Sequence, residues 1–242
     1  MLKSICALGL TGMLLLISVC ADADSESNRR LALVIGNANY GTKAGQLENA
    51  SNDAIDVAHA LKNLGFEVML ILNADLMTMK AAIERFSQEA NHSDVVFFYY
   101  AGFAHQIKSR PYIIPIGSDT ERAFDEPDEN ALKLDDIFVQ MKTRSRTVNL
   151  VVIDACGLLV DDWPVQSLIA FSSQPGKQAL DSTGVKSRNS PYTQSLLRHI
   201  VEPGITIEEL FKRVRKDVRR VTEGKQVPWE YSTLEKNFYF TK

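Results

Sequence analysis

The chain has 242 residues, is 45% apolar and carries a formal charge of −3. That length supports one sizeable hydrophobic core and points to a single folded domain. The near-neutral charge balance offers no global attraction to nucleic acid, so no nucleic-acid partner is expected; no repeat or low-complexity stretch is visible.

Lys3 precedes an uncharged, mostly apolar run over 4–19, and Cys20-Ala21-Asp22-Ala23 follows. A positive start, an apolar middle and a small-residue exit form the pattern of a secretory signal peptide, with cleavage near Ala21 or Ala23. The run is short for a membrane span of roughly 20 residues, so no span is expected in the mature chain. Lipidation at Cys20 would want a small residue where Val19 stands. The expected organisation is therefore a signal peptide over 1–23, a short linker over 24–29 and one domain over 30–242, in an exported, periplasmic or secreted protein. Of Cys6, Cys20 and Cys156, the first two fall in the leader. Cys156 is then the sole thiol of the mature chain, which excludes an intramolecular disulfide.

Residues 31–35 read L-A-L-V-I, a continuous apolar run typical of a strand buried on both faces. Ile55, Ala58, Leu61 and Leu64 recur at helical spacing and predict a helix over 53–64 that Gly65 stops. A strand over 67–72, a helix over 74–91 and a strand over 95–100 follow. Next come an extended piece over 112–116, a helix over 134–142, and strands over 148–153 and 166–172. Ser190-Pro191 opens a helix with a cap residue and proline at its first position. Thr206-Ile207-Glu208-Glu209 is a capping box before a helix with Leu210, Phe211, Val214, Val218 and Val221 on one face, ended by Gly224. Residues 237–241 predict a last strand. This alternation implies a mainly parallel sheet with helices on both faces. Sites in such sheets form at the carboxyl ends of strands, which directs attention to 36–40, 101–106 and 154–157.

Four features resemble sites without meeting their requirements. Gly36–Lys43 reads G-N-A-N-Y-G-T-K, but a phosphate loop needs Gly-Lys-Ser/Thr, and here Thr42 precedes Lys43. The acidic residues of 119–136 match no calcium loop, and His59, His92, His105 and His199 share no local motif. No metal and no cofactor is expected. The bases Lys212, Arg213, Arg215, Lys216, Arg219 and Arg220 are set against Glu208, Glu209, Asp217 and Glu223, which reads as a solvated helix face with its charges arranged to suit the helix dipole.

Cys156 immediately follows the apolar strand V-N-L-V-V-I-D, and the strand V-V-F-F-Y-Y ends in Ala101-Gly102-Phe103-Ala104-His105. A cysteine nucleophile needs a base to form thiolate, and a thiol and an imidazole at neighbouring strand ends would supply that pair.

V-V-I-D-A-C and F-Y-Y-A-G resemble the cysteine and histidine segments of the caspase-like cysteine peptidases, closest to their bacterial metacaspase-like branch. R-L-A-L-V-I-G-N, Asn52-Asp53-Ala54, Asn189-Ser190-Pro191-Tyr192-Thr193 and Pro228-Trp229-Glu230 fit in the same order, so the resemblance runs over roughly 30–240. It implies a three-layer α/β caspase-like fold, a mainly parallel six-stranded sheet between helices. It also implies Cys156 as nucleophile, backbone N–H groups near Gly102 as oxyanion donors, and Asp53 and Asp154 as a pocket for a basic side chain. A carboxylate pair suits the planar donor fork of guanidinium.

The departures from the family pattern are equally specific. Where Tyr-Ala-Gly-His-Gly is expected, the chain has Tyr100-Ala101-Gly102-Phe103-Ala104, which puts phenylalanine in the histidine position. His105 lies about 6–7 Å further along an extended chain, on the same strand face. Gly157 stands where the family has arginine, and the link to the next strand is short, which argues against activation by self-cleavage. The expected function is an exported pseudopeptidase that binds an Arg/Lys-containing peptide or protein without efficient cleavage. The alternative is an active cysteine endopeptidase cutting after Arg or Lys, with His105 as a displaced base.

Overall fold

The computed structural model describes residues 28–41, 46–118, 125–141, 147–160, 164–183 and 187–242. The apolar leader and most of the expected linker lie outside the described residues. Strands β1 (Arg30–Gly36), β2 (Phe66–Leu72), β3 (Val95–Ala101), β7 (Val148–Asp154), β8 (Ser167–Phe171) and β9 (Trp229–Ser232) form one six-stranded sheet in the order β2-β1-β3-β7-β8-β9. The first five are mutually parallel, and β9 runs antiparallel to β8. A second, antiparallel sheet joins β4 (Ala104–Ile107), β5 (Arg110–Ile113) and β6 (Leu132–Lys133).

The continuous apolar runs are needed because β1, β3 and β7 are covered on both faces. Ala32, Val34, Phe97, Tyr99, Leu150 and Val152 pack beneath α1 (Ala50–Asn63), α5 (Pro191–His199) and α6 (Ile207–Val221). Leu33, Ile35, Phe98, Tyr100, Val151 and Ile153 face α2 (Leu76–Ala90) and α4 (Leu134–Met141). A four-residue helix, α3 (Pro127–Asn130), precedes β6. Both predicted caps form, with Ser190 accepting from the Thr193 N–H and Thr206 from the Glu209 N–H. Among the described residues no helix is long and apolar enough to cross a membrane.

The predicted last strand over 237–241 is absent, and β9 completes the sheet instead. Phe238 and Phe240 are buried, which gives the segment a strand-like alternation. Its carbonyls, however, accept from loop and helix amides, Phe238 from Ile207 N–H and Thr241 from Gly204 N–H. Alternating burial records a covered face and cannot say whether the backbone pairs with a strand. Arg30 holds this tail down: its guanidinium lies 5.7 Å from the Phe66 ring and 5.9 Å from the Phe238 ring, and it donates to the carbonyls of Leu64 and Phe240.

Most relevant to function is register. Ala101 on β3 sits opposite Asp154 on β7, and Gly36 on β1 opposite Ala101. The exits of these strands, including Gly102–Phe103 and Ala155–Cys156, therefore share one edge of the sheet. Arg30→Ala should destabilise the protein by about 1–3 kcal/mol through the lost cation–ring and carbonyl contacts. Urea unfolding measures this, and the Phe238 amide should exchange faster.

Candidate functional site

One small cleft of about 60 Å³ at this edge is lined by Cys156, Gly102, Phe103, Asp53, Asp154 and Asp181, with Leu47, Ala50, Ala101, Ala155, Ala179 and Ser190 completing its wall. It adjoins a broader open groove of about 1140 Å³, with which it shares Leu47 and Asp181. Five of the six site residues named from sequence are thus brought together. The sixth, His105, is half-buried on β4 opposite Tyr112 and is not part of the cleft lining. Burial pushes its imidazole down, towards the neutral form.

Asp53 comes from the first turn of α1 and Asp154 from the last residue of β7; they are 1% and 7% exposed. Asp53 accepts from the Ser190 N–H at 3.0 Å. Asp154 accepts from the hydroxyls of Ser190 and Thr193. Because Thr193 donates its proton there, the Tyr99 hydroxyl 2.6 Å away donates to Thr193. Ser190, expected only as a helix cap, therefore touches both carboxyls. Burial raises both acids from their ordinary value of 3.8, Asp53 to about 9, and the neighbouring Asp154 pushes Asp53 up further.

Asp181 was not singled out by the sequence reading. It sits in the loop after β8, accepts from the N–H groups of Glu48 and Asn49, and is also pushed up by burial. From this remote loop it anchors the segment that leads into α1, where Asn49 makes no side-chain cap bond. The rule that sites gather at carboxyl strand ends covers this loop, but nothing in its local spacing marks the acid.

Phe103 is firmly held. The Phe103 N–H donates to the Tyr40 hydroxyl at 2.8 Å, and its carbonyl accepts from the Tyr100 hydroxyl at 2.8 Å. Its ring lies 4.5 Å from the Tyr40 ring. Gly102 is required by crowding, because a Cβ there would stand 2.5 Å from both tyrosine hydroxyls. The Gly102 N–H donates to the Asp154 carbonyl at 3.3 Å, so this amide has a partner within the protein. Gly157 is required even more strictly, since a Cβ would lie 1.7 Å from the Gln174 carbonyl oxygen. No arginine fits at that position in this loop arrangement.

Chemically, the cleft offers a thiol, three carboxyls and an aromatic wall. The carboxyls can accept from a cation, and no lining side chain is an imidazole. Among the described residues no group of three or more His, Cys, Asp or Glu side chains is placed to hold a metal ion.

A mainly parallel six-stranded sheet with a cysteine at one central strand exit defines a caspase-type α/β fold. The family model for the caspase domain matches residues 29–239, and the chain belongs to that family. Caspase-1 from Spodoptera frugiperda is similar in structure, with a TM-score of 0.69 and 19% identity over 89% of this chain and 93% of the other. The human mucosa-associated lymphoid tissue lymphoma translocation protein 1 is 24% identical over 127 residues, 52% of this chain. The chain spans 15% of that relative's length.

The raised carboxyls set a pH dependence. Below about pH 4 folded and unfolded chains are both protonated there; as pH rises the unfolded chain ionises first, so stability falls. Asp53→Asn keeps an oxygen for the Ser190 N–H and removes one such group. The variant should lose stability less steeply between pH 5 and 8, by up to about 1.4 kcal/mol per pH unit, in urea midpoints. An unchanged slope would contradict the burial of an ionisable Asp53.

Proposed function

We propose that this caspase-family chain is an exported pseudopeptidase that binds an Arg/Lys-containing peptide or protein in an acidic pocket and does not cleave it efficiently. The observation that carries this reading is the composition of the Cys156 cleft, where Phe103 occupies the histidine position beside three carboxyls. Phenylalanine accepts no proton, and losing a positioned base typically costs about 10²- to 10⁴-fold in rate. Carboxyl oxygens accept hydrogen bonds from a guanidinium or ammonium. Family membership supports a peptide or protein as the ligand, and the leader pattern supports export. His105 as a displaced base is the weaker reading, since its side chain is not part of the cleft wall.

The deciding experiment is turnover of fluorogenic peptides ending in Arg or Lys by the purified protein, alongside Phe103→His, His105→Ala and Cys156→Ala. The native chain should be silent, and Phe103→His should gain turnover that a further Cys156→Ala abolishes. The backbone at position 103 is already fixed by two tyrosine hydroxyls, so the new imidazole enters a prepared position. Native turnover removed by either His105→Ala or Cys156→Ala would instead establish a peptidase with a relocated base.

A further inference from the structure

Gln226 follows α6 in a loop, and its side chain is fully buried. A buried primary amide is retained at little cost only if its donors and acceptor are matched. Here its Nε2 donates to the Ser172 carbonyl at 2.8 Å, and its Oε1 accepts from the Leu180 N–H at 3.0 Å. One side chain thereby ties together both ends of the 172–180 loop. Its own backbone is fixed by Thr222, whose hydroxyl accepts from the Gln226 N–H at 3.1 Å.

Each end of this loop leads to the cleft. The Ser172 hydroxyl donates to the carbonyl of Ala155, the residue before Cys156. Within the loop, Gly157 donates to Lys177 and accepts from Gly176, bolting the turn to the residue after the cysteine. Leu180 immediately precedes Asp181, whose carboxylate accepts from Glu48 and Asn49 while its carbonyl accepts from the Asn49 side chain.

We propose that Gln226 is a positioning residue that sets Asp181 in the cleft by closing the 172–180 loop across its amide. Its significance for ligand binding rests on the acidic-pocket reading given above. Gln226 touches no ligand itself; it acts through Leu180 and the backbone that carries Asp181.

The test uses the full chain, a fluorescein-labelled peptide with one central arginine as probe, and amide exchange as a second readout. Gln226→Leu should speed exchange at Leu180, Glu48 and Asn49 and weaken peptide binding by about tenfold, as expected for losing a charge-assisted contact. In an Asp181→Asn background the same substitution should cost no further affinity, whereas a general structural loss would weaken both backgrounds equally. Gln226→Met removes both contacts with an apolar side chain of similar volume and serves if the leucine variant fails to fold. Native protection at Glu48 and Asn49 in both variants, or equal affinity losses in both backgrounds, would overturn the proposal. If the native protein binds no arginine peptide, the pocket reading fails, and exchange at Glu48 and Asn49 still decides the role of Gln226.

Discussion

Asp53 and Asp154 are two acids buried in one corner, and the neighbouring structure is arranged around what that burial requires. A carboxylate removed from water without partners costs several kcal/mol, and a second one beside it adds repulsion. The segment entering α5 supplies the compensation, with the Ser190 N–H on Asp53 and the Ser190 and Thr193 hydroxyls on Asp154. That segment is itself anchored to α1 by the two-point ion pair of Arg188 with Asp56, joined by Asn189. Hydrogen bonding offsets part of the cost, and the acids still remain shifted towards their neutral forms. Retaining two such groups costs the fold stability that apolar residues of similar size would not.

The same edge of the sheet separates the needs of folding from those of chemistry. Folding requires that the chain leave β3 in one path, and this is enforced by backbone contacts: Tyr40 and Tyr100 hold the two polar groups of residue 103, and Gly102 leaves room for both hydroxyls. None of these contacts involves the side chain at 103. Position 103 can therefore carry different side chains with the strand exit preserved, and the phenylalanine ring packs against Tyr40. The scaffold is compatible with more than one residue there, so the architecture alone carries no information on turnover.

How far the sequence could be read follows from which constraints are local. The parallel core strands were legible because burial on both faces demands unbroken apolar runs, as in L-A-L-V-I and V-N-L-V-V-I. The helix starts at Ser190 and Thr206 were legible because a cap is a contact between residues three apart. The 237–241 segment misled because Phe238 and Phe240 alternate like strand residues while their backbone serves the α6 entry and Arg30. Asp181 and Gln226 escaped because their partners lie far off in sequence. Asp181 holds the amides of Glu48 and Asn49 just before α1, and Gln226 bridges Ser172 and Leu180.

Gly157 shows how a residue expected to mark a lost functional group can be structural in origin. Read alone, glycine in place of arginine after the cysteine suggests a lost functional group. In the folded chain it is the residue that lets the 174–177 turn approach to within bonding distance, giving to Lys177 and receiving from Gly176. Any Cβ there would run into the Gln174 carbonyl, a backbone atom that cannot swing aside. The close approach shortens the path from the cysteine to the loop bearing Asp181, and a short link to β8 suffices where the turn is already docked. Glycine, the tight turn and the short connection are then one geometric arrangement.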